Sequence, residues 1–254
     1  MANNELAIAN FKSVINSASI RNRVTACLGE NAGAFVSSML DLYTGDNYLQ
    51  NCNPEAVAME CLKAASLKLP INKSLGFAYV VPYKNVPTFM IGWRGLVQLA
   101  MRTGQYKTIN AGCIYEGECV KHNRLTGQFE ITGIATSDIA IGYFGYFQLI
   151  NGYEKMLYMT KQEVNAYGKK YSKAFDSSYS PWKTEFDKMA MKTVLRQLLK
   201  YGPMSTEMQE AEKMDVLSAE TAAKAEIQQN ANIGVVIDVP TVDPDTGEVI
   251  PDGN

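Results

Sequence analysis

The chain has 254 residues, 46% of them hydrophobic, and a formal net charge of −2 at pH 7. It contains no apolar run near the roughly 18 residues that a membrane span needs, and its five cysteines form no CxxC pair. His122 is the only histidine, which excludes a histidine-rich metal site and argues against a Ser-His-Asp triad. These features predict a globular protein with no membrane partner and with reduced cysteines, as in the cytoplasm.

The small net charge hides a strong asymmetry along the chain. Residues 51–205 carry 19 basic and 11 acidic side chains, a charge of +8, whereas residues 206–254 carry 2 basic and 11 acidic side chains, a charge of −9. A basic body with an acidic tail is typical of a protein that binds polyanions. We therefore divide the chain into an N-terminal helical segment (1–45), a basic core (46–205) and an acidic, partly disordered C-terminal tail (206–254).

The first half of the chain predicts helices and then a hairpin. Residues 1–30 and 34–43 have weak helical patterns, and Asn53-Pro54-Glu55 marks a helix start with Asn53 as N-cap. Residues 77–81 and 88–91 predict two strands joined by a turn at Lys84-Asn85. A helix follows from Gly92 to Gly104, and its polar stripe contains Arg94, Gln98 and Arg102 at four-residue spacing.

The middle of the chain, residues 109–160, predicts several strands. Residues 139–150 are apolar and aromatic throughout, which is typical of a central strand covered on both faces. Asn151-Gly152 predicts a tight turn into the next strand, and Thr160 with Glu163 predicts a capping box that opens a helix. The predicted fold class is α+β, with a small antiparallel sheet packed against helices.

A second informative helix is predicted from 182 to 201, between Ser180-Pro181 and Gly202-Pro203. Its cations recur every four residues: Lys188, Lys192, Arg196 and Lys200. The last three have no acidic residue three or four positions away within the helix, and each like-charged neighbour costs about 0.2–0.5 kcal/mol. Contact with phosphates would neutralise this face. Alternatively, the side chains reach into water or meet carboxylates from elsewhere in the fold.

Aromatic residues accompany the cations of the hairpin and its helix. Tyr79, Tyr83 and Trp93 flank Lys84 and Arg94 and are candidates for base stacking. Packing within the hairpin core explains each of them equally well.

Signals for an enzyme are poor. The sequence has no GxxxxGK[ST] phosphate loop and no HExxH motif. The carboxylates Glu116, Glu118 and Glu130 give only weak support to a metal-dependent nuclease, because the partner residues of such a site are missing.

Two long segments carry a family resemblance. The segment LPINKSLGFAYVVPYKN followed by IGWRGLVQLAMRTGQYK resembles the hairpin and helix of phage RecT-type single-strand annealing proteins. The later segment DKMAMKTVLRQLLKYGPMS is similar to that family's MAxKTxxRxLxKxxP pattern, at Met189, Ala190, Lys192, Thr193, Arg196, Leu198, Lys200 and Pro203. The likeness extends from about Asp46 to Glu210, and Met191 departs from it where a lysine is expected.

The resemblance implies an ATP-independent protein that is not an enzyme and needs no cofactor, with Mg²⁺ at most a modulator. It implies that the protein coats single-stranded DNA and anneals it to a complementary strand in phage recombination, within the bacterial host cell. The annealed duplex would be held in a helical homo-oligomer, or filament, to which the N-terminal segment contributes contacts. A small sheet packed on helices, shared with the lambda Red beta protein, is the implied core. A partner exonuclease and the host single-strand binding protein are implied as further partners.

The residues expected to contact DNA come from both helices and from the strands. They are Lys192, Arg196, Lys188 and Lys200 in the late helix, Arg94 and Arg102 in the early helix, and, in a second rank, Lys84, Lys107, Lys121 and Arg124. Two alternatives stay open at this point. The chain could be a non-catalytic scaffold or packaging oligomer whose basic faces meet a neighbour's acidic tail, or, with less support, a metal-dependent nuclease.

Overall fold

The computed structural model describes residues 2–83, 85–123, 125–172, 175–177 and 180–231. The helices are α1 Ala2–Asn16, α2 Ala18–Leu28, α3 Ala32–Thr44, α4 Pro54–Ser66, α5 Trp93–Arg102, α6 Lys161–Tyr171, α7 Pro181–Thr184, α8 Phe186–Leu199 and α9 Thr206–Ala231. The strands are β1 Ala78–Tyr83, β2 Val86–Ile91, β3 Tyr106–Tyr115, β4 Glu118–His122, β5 Phe129–Gly133, β6 Ala140–Leu149 and β7 Glu154–Thr160. No described helix is both long and apolar enough to cross a membrane.

The strands form three small antiparallel sheets: the hairpin β1–β2, the three-stranded sheet β3-β6-β7, and the hairpin β4–β5. The predicted α+β class with small antiparallel sheets is therefore confirmed. The predicted turn at Asn151-Gly152 joins β6 to β7, with Gly152 at φ +88°. Thr160 and Glu163 form the predicted capping box at the start of α6.

The first hairpin and α5 form one tight unit. Asn85, at φ +66°, lies in the turn between Tyr83 and Val86, which are cross-strand partners. A side chain at Gly92 or Gly95 would collide with a backbone carbonyl oxygen, that of Gly76 or Phe77 respectively. Both glycines are therefore needed for the chain before β1 to lie against the start of α5. This close approach places the first residues of α5 beside β1.

The hydrophobic core has two clusters, and α8 belongs to both. Leu195, Leu198 and Leu199 lie in the larger cluster, with the N-terminal helices, the first hairpin and α5. Ala190 and Val194 lie in the smaller cluster, with parts of β6, α6 and α7. Because α8 is held from both sides, the positions of its cations are fixed by packing.

The N-terminal helices share the larger cluster with the rest of the body. Phe11 of α1 stacks on Tyr43 of α3, with ring centroids 4.0 Å apart, and Val24 of α2 is fully buried. The boundary drawn at residues 45 and 46 therefore marks no break in packing. The oligomer contacts expected of this segment remain a prediction.

Two sequence predictions differ from the structure. The helix predicted from 182 to 201 is interrupted at Glu185, whose φ of −142° is not helical, so that α7 and α8 are separate. Nothing in the structure explains the position of this break. The strand β6 is central, as predicted, but α8 covers only one face, at Gly145 and Phe147. On the other face Phe144 and Tyr146 are only half-buried.

The acidic segment begins as part of the body. One side of the first half of α9 is buried, at Met208, Ala211, Asp215 and Ser218. The segment from Thr206 to Ala231 is helical. Residues 232–254, where the disordered end is predicted, lie outside the described part of the chain.

Candidate nucleic-acid interface

The middle of α8 faces α9, and its cations are paired with carboxylates. Lys192 is only 5% exposed, and its Nζ donates to Oδ1 of Asp215 at 2.8 Å. Arg196 donates to Oδ2 of Asp215 at 3.2 Å and to Oε1 of Glu212 at 3.4 Å. At these two positions the structure shows carboxylates from elsewhere in the fold, which the sequence pattern had left open. In this arrangement little of the Lys192 side chain is accessible to a phosphate.

Asp215 also bonds to one edge of the first hairpin, together with Glu60 of α4. Asp215 accepts the backbone N–H of Ile91 at 2.9 Å, and Glu60 of α4 accepts that of Phe89 at 2.7 Å. Both N–H groups are on the side of β2 away from β1. We call Lys192, Arg196, Asp215 and Glu212 the α8–α9 network. It joins a helix, a strand edge and the acidic segment, with Lys192 and Asp215 buried and Arg196 and Glu212 partly exposed.

Burial determines the titration behaviour at this network. Loss of water lowers the pKa of Lys192, against the attraction of Asp215, which raises it. Tyr83 lies close enough for the same carboxylate to act on its hydroxyl, and burial together with that negative charge raises the pKa of Tyr83 to about 12. Tyr83 is half-buried, as Tyr79 is, and lies within electrostatic reach of the network; its predicted role in base stacking remains a prediction.

Arg102 also has a structural partner. Its Nη1 and Nη2 donate to the carbonyl oxygens of Leu67 and Lys68, at 2.7 and 2.8 Å. Leu67 is the C-cap of α4, so the guanidinium satisfies carbonyl groups that a helix leaves free at its end. Glu207 of α9 lies 4.0 Å from the same guanidinium.

Two exposed cations, Arg94 and Lys188, lie near the starts of α5 and α8. Arg94 is exposed, and its guanidinium lies 5.3 Å from the centroid of the Trp93 ring. Lys188 is exposed and pairs with Glu185 at 2.9 Å. The charges of Lys188 and Arg94 both act on the hydroxyl of Tyr79, so these groups are neighbours. We call Arg94, Lys188, Tyr79 and Trp93 the basic patch.

Charges inside the basic patch affect one another. A hydrogen bond to Glu185 is the main cause that raises the pKa of Lys188, while the nearby positive charge of Arg94 opposes it. Tyr79 and Trp93 are half-buried, so each retains some ring surface next to the cations. Like charges beside partly open aromatic rings favour a ligand that is both anionic and planar.

The remaining predicted cations are distributed over the surface. Lys200, at the end of α8, is exposed and donates to Oε1 of Gln197 at 3.3 Å. Lys107 on β3 and Lys121 on β4 are exposed and have no ion pair within the described part of the chain. Lys84 and Arg124 lie outside the described residues. The structure thus brings together Arg94 and Lys188, but it does not join all ten predicted residues in one stripe.

Two of the three carboxylates that suggested a nuclease, Glu116 and Glu118, form local hydrogen bonds. Glu118 accepts the backbone N–H of Tyr115 at 2.7 Å, and Glu116 accepts the hydroxyl of Ser137 at 2.9 Å. Within the described residues, no three His, Cys, Asp or Glu side chains come together as potential ligands of a metal ion.

Sequence reasoning missed a second group of aromatic residues and one cation. Phe129 of β5 packs on Phe144 of β6 and on Tyr158 of β7, with centroids 6.0 and 6.2 Å apart. The Nζ of Lys155 lies 4.7 Å from the ring centroid of Tyr201. The alternation of residues 142–148 contained the signal: Phe144, Tyr146 and Gln148 fall on one face and the residues packed by α8 on the other.

Comparisons with known proteins identify the family. The model of the RecT family matches residues 33–232. The chain is 42% identical over 232 residues to the "Uncharacterized protein YqaK" of Bacillus subtilis (strain 168), covering 91% of this chain and 79% of that protein. It is 28% identical over 218 residues to "Protein RecT" of Escherichia coli (strain K12), covering 80% and 79% respectively. The chain therefore belongs to the RecT family, a family of recombination and annealing proteins.

Proposed function

We propose that the chain binds single-stranded DNA and anneals complementary strands without ATP, during phage recombination in the bacterial cytoplasm. In this proposal a helical homo-oligomer, or filament, coats the single strand and holds the annealed duplex DNA as an intermediate. Membership of the RecT family supports the recombination role in general. The observation that carries the DNA-binding part is the basic patch, where exposed Arg94 and Lys188 stand beside half-buried aromatic rings.

Cations at different places have different tasks in this proposal. Exposed side chains can neutralise phosphates and release counterions without any change in the fold. We therefore assign DNA contacts first to Arg94 and Lys188, then to Lys200, Lys107 and Lys121, with Lys84 and Arg124 retained on their sequence position alone. Lys192, Arg196 and Arg102 act indirectly, because their hydrogen bonds hold α4, α8, α9 and β2 together.

A partner exonuclease that generates single strands, and the host single-strand binding protein, are part of the proposal because annealing needs exposed single strands. Mg²⁺ enters only as a modulator of duplex formation. The phosphates of the DNA themselves attract divalent cations.

Two complementary oligonucleotides with fluorescent labels test the proposal. They are mixed with the protein without ATP, with and without Mg²⁺, and pairing is followed against a sample that lacks protein. Faster pairing with strands of unchanged length supports an annealing protein. Binding without faster pairing contradicts annealing, absence of binding at moderate salt contradicts the whole proposal, and shortening of the strands with Mg²⁺ supports the nuclease.

Deleting the whole acidic tail, residues 206–254, is not a suitable test of the scaffold alternative. Removing residues 206–254 would also remove Asp215 and leave Lys192 buried without its carboxylate. Truncation after Ala231 avoids this, because it removes residues 232–254, which carry five acidic and no basic side chains. An annealing protein should keep its activity after this truncation, whereas a scaffold held by tail contacts should lose assembly.

The structure offers one argument against that scaffold. The network cations Lys192 and Arg196 already meet Asp215 and Glu212 of the same chain. A neighbour's acidic tail would therefore have to compete with a buried intramolecular contact at these positions.

A further inference from the structure

An open cleft lies between the hairpin β4–β5 and the three-stranded sheet. Its volume is about 710 Å³, within the range of about 300–1,000 Å³ that is usual for sites of small planar ligands. The residues that line it include Phe129, Met156, Lys121, His122, Asn123 and Gln128. Of these lining residues, only Lys121 has a part in the function proposed above.

The geometry of the cleft follows from how the hairpin rests on the sheet. Phe129 is the contact point, with its ring against Phe144 and Tyr158. The cross-strand partner of Phe144 is Tyr158, and the next pair on the same face, two residues along each strand, is Tyr146 with Met156. The hairpin therefore contacts the first pair through Phe129, both pairs are half-buried, and Met156 of the second pair lines the cleft beside the ring of Phe129.

The lining combines a flat apolar wall with groups that form hydrogen bonds. Phe129 and Met156 offer apolar surface, while Gln128 and Asn123 carry amides and Lys121 carries an ammonium group. The Oδ1 of Asn123 already accepts the N–H of Leu125 at 3.0 Å, so its amide nitrogen is held in a fixed direction. These groups match a planar heterocycle with donors and acceptors on its edge.

One carboxylate argues against a phosphate as the main ligand of the cleft. Glu130, the cross-strand partner of Lys121, also lines it. A carboxylate repels phosphate but accepts a hydrogen bond from an N–H group of a base, whether an exocyclic amine or the ring N3–H of thymine. A nucleotide satisfies both, with its base inside and its phosphate at the exposed ammonium of Lys121.

A second cation lies at the turn of the same hairpin. The Nζ of Lys155 would be 3.3 Å from a Cβ at Gly127, and it also lies over the ring of Tyr201. Tyr201 follows Lys200 directly in the sequence. Both Lys200 at the end of α8 and Lys155 near the hairpin turn therefore lie next to Tyr201. A strand whose phosphates follow these cations passes the opening of the cleft.

We propose that the cleft beside Phe129 binds an unpaired base of single-stranded DNA, stacked on the Phe129 ring with its neighbouring phosphate at Lys121. The proposal rests on the single-stranded DNA binding proposed above and adds a recognition site for the base itself. It predicts that the protein distinguishes a strand with bases from a strand without them, which contacts to phosphates alone do not.

The test compares a fluorescent oligothymidine with an oligonucleotide of equal length that contains abasic sites, by anisotropy on the full-length chain. The wild type should bind oligothymidine about 5-fold or more tightly, since stacking on one aromatic side chain contributes at least that factor per base. Phe129→Ala and Phe129→Leu should remove most of this preference and leave the affinity for the abasic strand nearly unchanged. Phe129→Leu keeps apolar volume under the hairpin, and its melting temperature serves as the folding control.

The matched control is Lys121→Ala, which should weaken both oligonucleotides equally and lower the salt dependence of binding. A wild type that binds both strands with equal affinity overturns the base site and leaves the proposed function intact. Equal preference in the wild type and in Phe129→Leu overturns it as well. A wild type that binds neither strand contradicts the proposed function instead.

Discussion

The four regularly spaced cations of α8 lie in two different environments. Lys192 and Arg196 face α9 and are bonded to Asp215 and Glu212, whereas Lys188 and Lys200 are exposed at the two ends of the helix. The sequence spacing is the same for all four. The difference arises from carboxylates that lie 16 to 23 residues further along the chain. A charge pattern on one helix therefore does not determine whether its counter-charge is a phosphate or a carboxylate.

The two environments also differ in what a substitution does. A buried ion pair is weak evidence for net stability, but removing one partner leaves an uncompensated charge and costs about 3–5 kcal/mol. An exposed cation affects stability by about 0.5 kcal/mol or less. Stability and DNA affinity should thus respond to different cations of the same helix.

The largest expected effect is that of Asp215→Ala. This change leaves Lys192 buried without a partner and removes the acceptor of the Ile91 N–H, so the free energy of unfolding should fall by about 3–5 kcal/mol. Urea denaturation measures it. The control is Glu210→Ala, an exposed carboxylate on the same helix, and a similar loss in both variants would contradict the network.

The next effect concerns Arg102 and the end of α4. Arg102→Ala removes two hydrogen bonds from a charged group to backbone carbonyls, and the free energy of unfolding should fall by about 1.5–3 kcal/mol. Thermal melting measures the loss. The salt dependence of DNA binding should be unchanged once folding is complete. A stable variant with a reduced salt dependence would instead place Arg102 on the DNA.

The basic patch should show the opposite behaviour. Arg94→Ala and Lys188→Ala should each change stability by about 0.5 kcal/mol or less, yet each should lower the slope of log affinity against log salt by about 0.7. Titrations of a fluorescent oligonucleotide at several salt concentrations give this slope. Lys12→Ala on α1 is the matched control, because it removes an exposed cation far along the chain from the patch. An unchanged slope in both variants would indicate that DNA binds at a surface other than the basic patch.

A further effect is the response of the stability near the α8–α9 network to alkaline pH. The pKa of Tyr83 is raised to about 12 in the folded chain, above the roughly 10 of an unfolded tyrosine. The Tyr83 hydroxyl therefore stays protonated to a higher pH in the folded state than in the unfolded state. Stability from this group is complete below pH 10 and is lost as the pH rises towards 12. Tyr83→Phe should therefore lose stability less steeply than the wild type over this interval, as urea midpoints at successive pH values would show. Equal slopes would contradict the burial of Tyr83 beside Asp215.

Local signals in the sequence were sufficient to predict most of the helices, strands and turns. Asn53-Pro54 opens α4, Thr160 with Glu163 opens α6, and Asn151-Gly152 joins two strands, because caps and turns depend on residues close in sequence. The partners of Lys192 could not be found in this way, since Asp215 lies on another helix. The half-open face of β6 was missed because the run is apolar on both faces, so its alternation shows which residues share a face but not what covers that face. The DNA contacts themselves remain predictions.

The edge of β2 has a consequence for how subunits can assemble. An unpaired strand edge is a template on which another chain can add a strand and so extend the sheet. Here the outward N–H groups of Phe89 and Ile91 are already bonded to the carboxylates of Glu60 and Asp215. β-Augmentation at this edge would first have to break both bonds. In the filament proposed above, subunits are therefore expected to join through surfaces other than this edge of β2.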